Sequence, residues 1–363
     1  MNVGAAIDEE LAALGAGELR PFDAHSHTGH DIDGAARSAE EHLGDLEAIG
    51  GRSVIFPLCV EGGYDRENER VLAECGADPG RLIPFARLDP HLDGAAEAEE
   101  ALTAGARGIK LHPRAERFRL DHPNVEAIFA AAAGARAPVL IHAGVGVGSL
   151  GRSIVELARS HREAPIILAH AGISDLAWIW REVEEHPNVY FDTAWWNPTD
   201  LLALFALVPP GRVLYGSDAP YMDVKLGLAL TIRAARFAGL GQDVLESVLG
   251  GQLEALLSGA PANDLGPAPG PVRGLAPAEA RVAALLTAAG GCLVGDGDPG
   301  KVLELTLAAS ASGDGAGGDA DLDPRITELV AAARAPTPAR LPAIVLALSI
   351  AHAPGVGIDA VAA

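Results

Sequence analysis

Through residue 258 the chain alternates between short apolar, β-branched runs and longer stretches rich in Ala, Leu and Glu. The short runs cover residues 20–24, 52–58, 81–88, 107–111, 138–141, 165–169, 188–191 and 212–215, and they predict eight strands. The segments between them, such as 38–49, 125–135 and 174–185, predict helices, with Ser38 and Ser174 placed to cap two of them. Strands alternating with helices predict a parallel α/β sheet with crossover helices. Eight such units in about 250 residues fit a closed (β/α)₈ TIM barrel. The alternative is an open doubly wound sheet, but no GxGxxG follows the first strand.

The pattern stops at residues 259–273, a Pro- and Gly-rich stretch expected to be a linker. Beyond it, residues 277–289, 300–309, 326–333 and 341–352 predict helices. A Gly-, Ala-, Ser- and Asp-rich stretch at 310–323 predicts a loop. The expected organisation is a barrel over 1–258, a linker over 259–273 and a small helical C-terminal extension over 274–363. No role is readable for the extension.

Composition narrows the class. At 49% apolar residues a large core can form, and at 4% aromatic residues it must be mostly aliphatic. A formal charge of −22 repels phosphate backbones, which argues against nucleic-acid partners. The first 20 residues lack the basic and apolar regions of a signal peptide. No uninterrupted apolar stretch reaches about 18 residues, so no membrane span is expected. Cys59, Cys75 and Cys292 are too widely spaced for a metal motif and suit a reducing cytoplasm, the expected location. The sequence leaves open whether the chain forms a homo-oligomer.

The chemistry gathers at strand ends. His25 and His27 close the first strand within FDAHSH. Side chains alternate along a strand, so both imidazoles project to one side and can share one metal ion. Alone, HxH is a weak motif. However, the fourth strand ends in GIKLHP with Lys110 and His112, the fifth in LIHAG with His142, the sixth in LAHAG with His170 and the eighth in YGSDAP with Asp218. In a barrel these ends converge on one face, where active sites are built. A shell of three histidines and one aspartate suits Zn²⁺, and Mn²⁺ and Fe²⁺ fit as well. Water on such an ion can have a pKa near ~7. Asp218 could hold the ion and accept the proton, with His170 stabilising negative charge.

FDAHSH, GIKLHP, VLIHAG, ILAHAG and YGSDAP, in that order, resemble the amidohydrolase superfamily. The resemblance covers residues 20–258 and is nearest to the amidohydrolase-related branch of metal-dependent hydrolases and non-oxidative decarboxylases. It implies that His25, His27, His142 and Asp218 bind metal. It implies for His170 a second-metal or catalytic hydrogen-bonding role, and for Lys110 a carbamate bridge if two ions are present. One ion is favoured here. Lys110 otherwise reads as a partner for a ligand or substrate carboxylate.

Substrate contacts are expected from Lys110, His112, Arg114 and Trp195, although Arg114 and Trp195 also read as ordinary surface and loop-packing residues. Tyr64, Arg87 and Trp196 are weaker candidates. His30, His91, His122, His161 and His186 read as surface or capping residues. No GxSxG occurs and Cys59 has no evident base, which argues against covalent catalysis. The expected activity is hydrolysis of a small amide, ester or lactone by metal-activated hydroxide. A decarboxylase on the same barrel is the alternative, and a non-catalytic barrel used as a scaffold is the third reading.

Overall fold

The structure, a computed structural model, describes residues 1–311 and 322–356. Its strands are β1 (Phe22–His30), β2 (Ala36–Arg37), β3 (Arg52–Pro57), β4 (Leu82–Pro84), β5 (Ala86–Arg87), β6 (Ile109–Leu111), β7 (Val139–Ile141), β8 (Ile166–Leu168), β9 (Val189–Asp192) and β10 (Val213–Leu214). β2 pairs antiparallel with the end of β1. The other pairings are parallel, in the orders β1-β3-β4 and β10-β9-β8-β7-β6-β5.

Hydrogen bonds at two seams join these sheets. β4 and β5 are halves of the strand expected at 81–88, and the partner changes at Phe85. Its N–H donates to Ile55 O (2.9 Å), and the next, of Ala86, donates to Gly108 O (3.0 Å). Gly108 is required there, because a Cβ would lie 2.5 Å from the Phe85 ring. At the second seam Ala24 N donates to Tyr215 O (2.8 Å) and His27 N to Ala219 O (2.7 Å). Ser26 and Ala219 form a parallel bridge. The eight strand positions thus close into the (β/α)₈ barrel, which removes exposed sheet edges.

Strand parity divides the core. Val54, Phe85, Leu140, Ile167, Tyr190 and Leu214 fill the barrel interior. Their neighbours in sequence, including Ile109, Val139, Ile141, Ile166, Val189 and Val213, pack outward against the helices. Two residues beyond the interior layer, the same parity delivers Arg87, His142 and Asp192 to the C-terminal mouth, and Lys110 stands two beyond Gly108.

The helix Ala39–Ile49 has the expected cap, a Ser38–Glu41 capping box. The helix expected at 174–185 is instead broken into Leu176–Ile179 and a 3₁₀ turn, Trp180–Glu182. Ser174 does not cap it. Asp175, next in line, accepts from Ser149 Oγ, Leu150 N and Trp178 Nε1, so its carboxylate ties two loops together.

Among the described residues, four helices follow residues 259–273: Pro277–Val294, Gly300–Ala311, Pro324–Ala332 and Arg340–His352. Their apolar faces share one cluster with the barrel helices. The connecting stretch is itself anchored, with Asn263 bonded to Gln252 (3.0 Å) and Ser247 (2.9 Å). An N-terminal helix, Val3–Ala13, contributes buried Glu10. Glu10 pairs with Arg233 and Arg325, both at 2.6 Å, and Arg233 donates to Ala353 O (2.7 Å), which clamps the N-terminal helix and the end of the helix Arg340–His352 to the barrel wall. By length and composition alone Pro277–Val294 could cross a membrane, yet Val282, Ala283, Leu286 and Ala289 bury its inner face in this core. The loop expected at 310–323 falls largely on residues 312–321, outside the described residues.

Candidate metal centre

The first strand delivers its histidines through a β-bulge. Asp23 pairs with Ser53 but Ser26 with Ile55, so one extra residue lies between them. His25 and His27 then point at the same group: their Nε2 atoms lie 3.2 and 3.3 Å from Asp218 Oδ1. The ligand atoms of His25, His170 and Asp218 all lie within 4.8 Å of one another. His142 stands one ring further out, its Nδ1 2.9 Å from His170 Nε2. His112 stacks on His142 with centroids 3.9 Å apart. Lys110 is fully buried, with Nζ 3.3 Å from His25 Nε2 and 4.8 Å from the Phe56 ring centre. All of the strand-end set is therefore brought to one place, with His142 and His112 at its outer side.

The backbone is strained where the chemistry is. His170 and Asp218 have φ of 58° and 61°, in the left-handed region that non-glycine residues rarely adopt. Gly144 makes room beside them, since a Cβ there would meet His170 Cδ2 at 2.7 Å.

Two buried aspartates that the sequence reading did not single out support the cluster. Asp192, at the end of β9, accepts His25 Nδ1–H through Oδ2 (2.8 Å). Its Oδ1 accepts from His170 N (2.8 Å) and Ala194 N (3.0 Å). This holds the His25 proton at Nδ1 and aims Nε2 at Asp218 as the atom that would bind metal, as carboxylates do behind metal-binding histidines. Asp23 accepts from His25 N (2.9 Å), Ser26 Oγ (2.8 Å), Ser217 N (2.9 Å) and Ser217 Oγ (2.5 Å), which ties β1 to the Asp218 turn. A strand-end position and the parity of His142 were the available signals for Asp192.

Electrostatics fit a cation. Burial opposes ionisation of Asp218, but the imidazoles of His170 and His25 hold its pKa well below the usual carboxylate range. Burial lowers His27 to about 3 and also lowers His142 and His170. Burial pulls Lys110 down to about 7, against the attraction of Asp218. One contact is unsatisfactory without a cation. His170 Nδ1 donates to Ala194 O (2.6 Å), which leaves a lone pair on Nε2. If His142 Nε2 donates to Val145 O (3.3 Å), its Nδ1 lone pair faces that one across 2.9 Å. If His142 Nδ1 carries the proton instead, Nε2 and Val145 O face each other as two acceptors. The imidazole and carboxylate donors suit Zn²⁺, Mn²⁺ or Fe²⁺, and a cation here removes the conflict.

Around this centre the weaker candidates separate. Arg114 is exposed and reaches Val145 O (3.4 Å) over the β7 loop. Trp195 lies 5.9 Å from the His170 ring and donates to Asp200 (2.6 Å). Trp196 packs on Gly290 of the C-terminal helices. Arg87 is consumed by a buried pair with Glu116 (2.7 Å), to which Tyr64 also donates (2.6 Å). His122 caps the helix Pro123–Ala135 through Asn124 N, as expected. The surface or capping reading of His186 is overturned: the side chain, in the turn that leads into β9, is 3% exposed.

The sequence profile described as Amidohydrolase matches residues 22–251. The chain belongs to the amidohydrolase family. No curated protein matches it. Solved structures share the fold at low identity. The 5-carboxyvanillate decarboxylase LigW from Sphingomonas paucimobilis is 16% identical, with a TM-score of 0.52 over 66% of this chain and 99% of that one. A 2,6-dihydroxybenzoate decarboxylase is 12% identical, with a TM-score of 0.53 over 66% and 99%. The 5-carboxyvanillate decarboxylase LigW2 from Novosphingobium aromaticivorans, with bound manganese, is 14% identical, with a TM-score of 0.53 over 67% and 98%.

Proposed function

We propose that this amidohydrolase-family protein is a metal-dependent hydrolase of a small carbonyl compound bearing a carboxylate. In this reading His25, His27, His142 and Asp218 hold one divalent ion, Zn²⁺ before Mn²⁺. The carrying observation is the position of Asp218 Oδ1, within 3.3 Å of both strand-one imidazoles, which supports a proton acceptor beside the ion. When bound, the ion supplies Lewis acidity toward the carbonyl oxygen and acidifies a water. Asp218 accepts the proton of the attacking water. His170, held by Asp192 and Ala194, stabilises the developing negative charge in its imidazolium form, with Nε2–H toward that oxygen. Lys110, not carbamylated, offers its ammonium to the substrate carboxylate, with Arg114, His112 and Trp195 at the rim.

A decarboxylase is the second reading. It is supported by the buried Lys110, whose protonated form suits an acid substrate, and by the activities named for the three solved relatives above. The two readings part in one assay on metal-loaded protein. Release of CO₂ from dihydroxybenzoates and carboxyvanillate is measured beside hydrolysis of lactones, esters and amides. Hydrolysis that disappears in Asp218→Asn supports the first reading. CO₂ release without hydrolysis refutes it in favour of the second.

A further inference from the structure

At the opposite, N-terminal end of the barrel, the turn entering β9 carries Glu182, Glu185 and His186. The backbone brings them together: His186 N donates to Glu182 O (3.0 Å), and Val189 N to His186 O (3.0 Å). One ligand atom from each side chain lies within 4.8 Å of the others. His186 is 3% exposed, yet neither ring nitrogen has a hydrogen-bond partner. Its Nε2 faces Glu182 Oε2 at 3.9 Å, too long for a hydrogen bond. Buried imidazole nitrogens are ordinarily satisfied, and an orphaned pair calls for an explanation such as an ion. Among the described residues neither glutamate pairs with an arginine or lysine, so their charge is not neutralised within the protein.

We propose that Glu182, Glu185 and His186 form a second binding site, separate from the mouth, for a divalent transition-metal ion of the Zn²⁺ class. One imidazole and two carboxylates are a donor set for zinc or manganese, whereas calcium and magnesium favour oxygen alone. Glu185 is exposed and Glu182 partly so, which lets ions enter and water complete the coordination. The role is structural. Conserving shape at the N-terminal face of a barrel serves stability, while chemistry sits at the other face. The site would pin the short, broken helical segment after β8 to the start of β9. Asn188 already locks that entrance by donating to Ala158 O, His161 O and Ala164 O at 3.1–3.2 Å.

The test uses full-length protein stripped of metal and dialysed against micromolar zinc. Zinc per chain is read by mass spectrometry, and the zinc-induced rise in melting temperature is read in parallel. Wild type, His186→Gln and Glu182→Gln/Glu185→Gln are compared. Both variants should bind one zinc fewer than wild type and show a smaller zinc-induced rise. The surface double variant keeps the test valid if His186→Gln fails to fold. Unchanged zinc content in the double variant overturns the proposal, as does a wild-type equivalent that binds only at millimolar zinc. The comparison is a difference between chains with identical mouths, so it stands whether or not the mouth binds metal.

Discussion

Asp192→Asn isolates what the buried carboxylate does for the metal centre. The asparagine can keep its Oδ1 on the N–H groups of His170 and Ala194, which Asp192 now binds at 2.8 and 3.0 Å. Its amide NH₂ then faces His25 Nδ1, where a carboxylate oxygen stood at 2.8 Å. Two donors cannot face each other, so His25 must move its proton to Nε2. That nitrogen, 3.2 Å from Asp218 Oδ1, loses its lone pair for metal. Flipping the amide instead costs both backbone hydrogen bonds. Loss of such an outer carboxylate typically weakens metal binding about 10–100-fold, or about 1.4–3 kcal/mol. The assay is metal titration against a chelating dye, with near-ultraviolet circular dichroism to verify the fold. Unchanged affinity in a folded Asp192→Asn protein would refute the tautomer argument.

Three further outcomes follow from the same structure. His142→Ala should lose bound metal and turnover together, while His170→Ala keeps the metal and loses turnover; measured metal contents in the reverse order would move the ligand role from His142 to His170. Glu10 is 1% exposed between Arg233 and Arg325, so Glu10→Ala leaves a buried cation unpaired and should cost about 3–5 kcal/mol in urea unfolding; a change within experimental error would dismiss the clamp. Burial lowers His42 to about 4 from 6.5, so the unfolded chain binds its proton first as pH falls. The stability tied to neutral His42 is therefore complete above about pH 6.5 and lost progressively down to about pH 4, by about 3 kcal/mol. His42→Leu should flatten that limb, and an identical pH profile in the variant would contradict it.

The barrel was legible because its strands follow one rule, a short apolar run ending in a chemically distinctive residue. His25, His142, His170 and Asp218 stood out at those ends as histidines or within Gly-flanked motifs. Asp192 did not, because a lone aspartate after VYF is equally a loop residue; only the fold brings it 2.8 Å from His25, across 167 positions of sequence. Glu116 was hidden for the same reason, and its pairing with Arg87 removes that arginine from the substrate candidates. The helix expected at 174–185 failed because the Asp175 carboxylate serves Ser149, Leu150 and Trp178. The C-terminal helices were visible as helices. Their union with the barrel core was not, since it depends on Arg233 and Glu10 meeting across 223 positions.

A divalent ion held at the mouth by the strand-end residues should be visible by anomalous diffraction at the zinc edge from crystals of the zinc-loaded protein. A peak bounded by His25 Nε2, His27 Nε2 and Asp218, with His142 turned toward it, is the expected result. Full zinc occupancy elsewhere, with no peak among these residues, would contradict it.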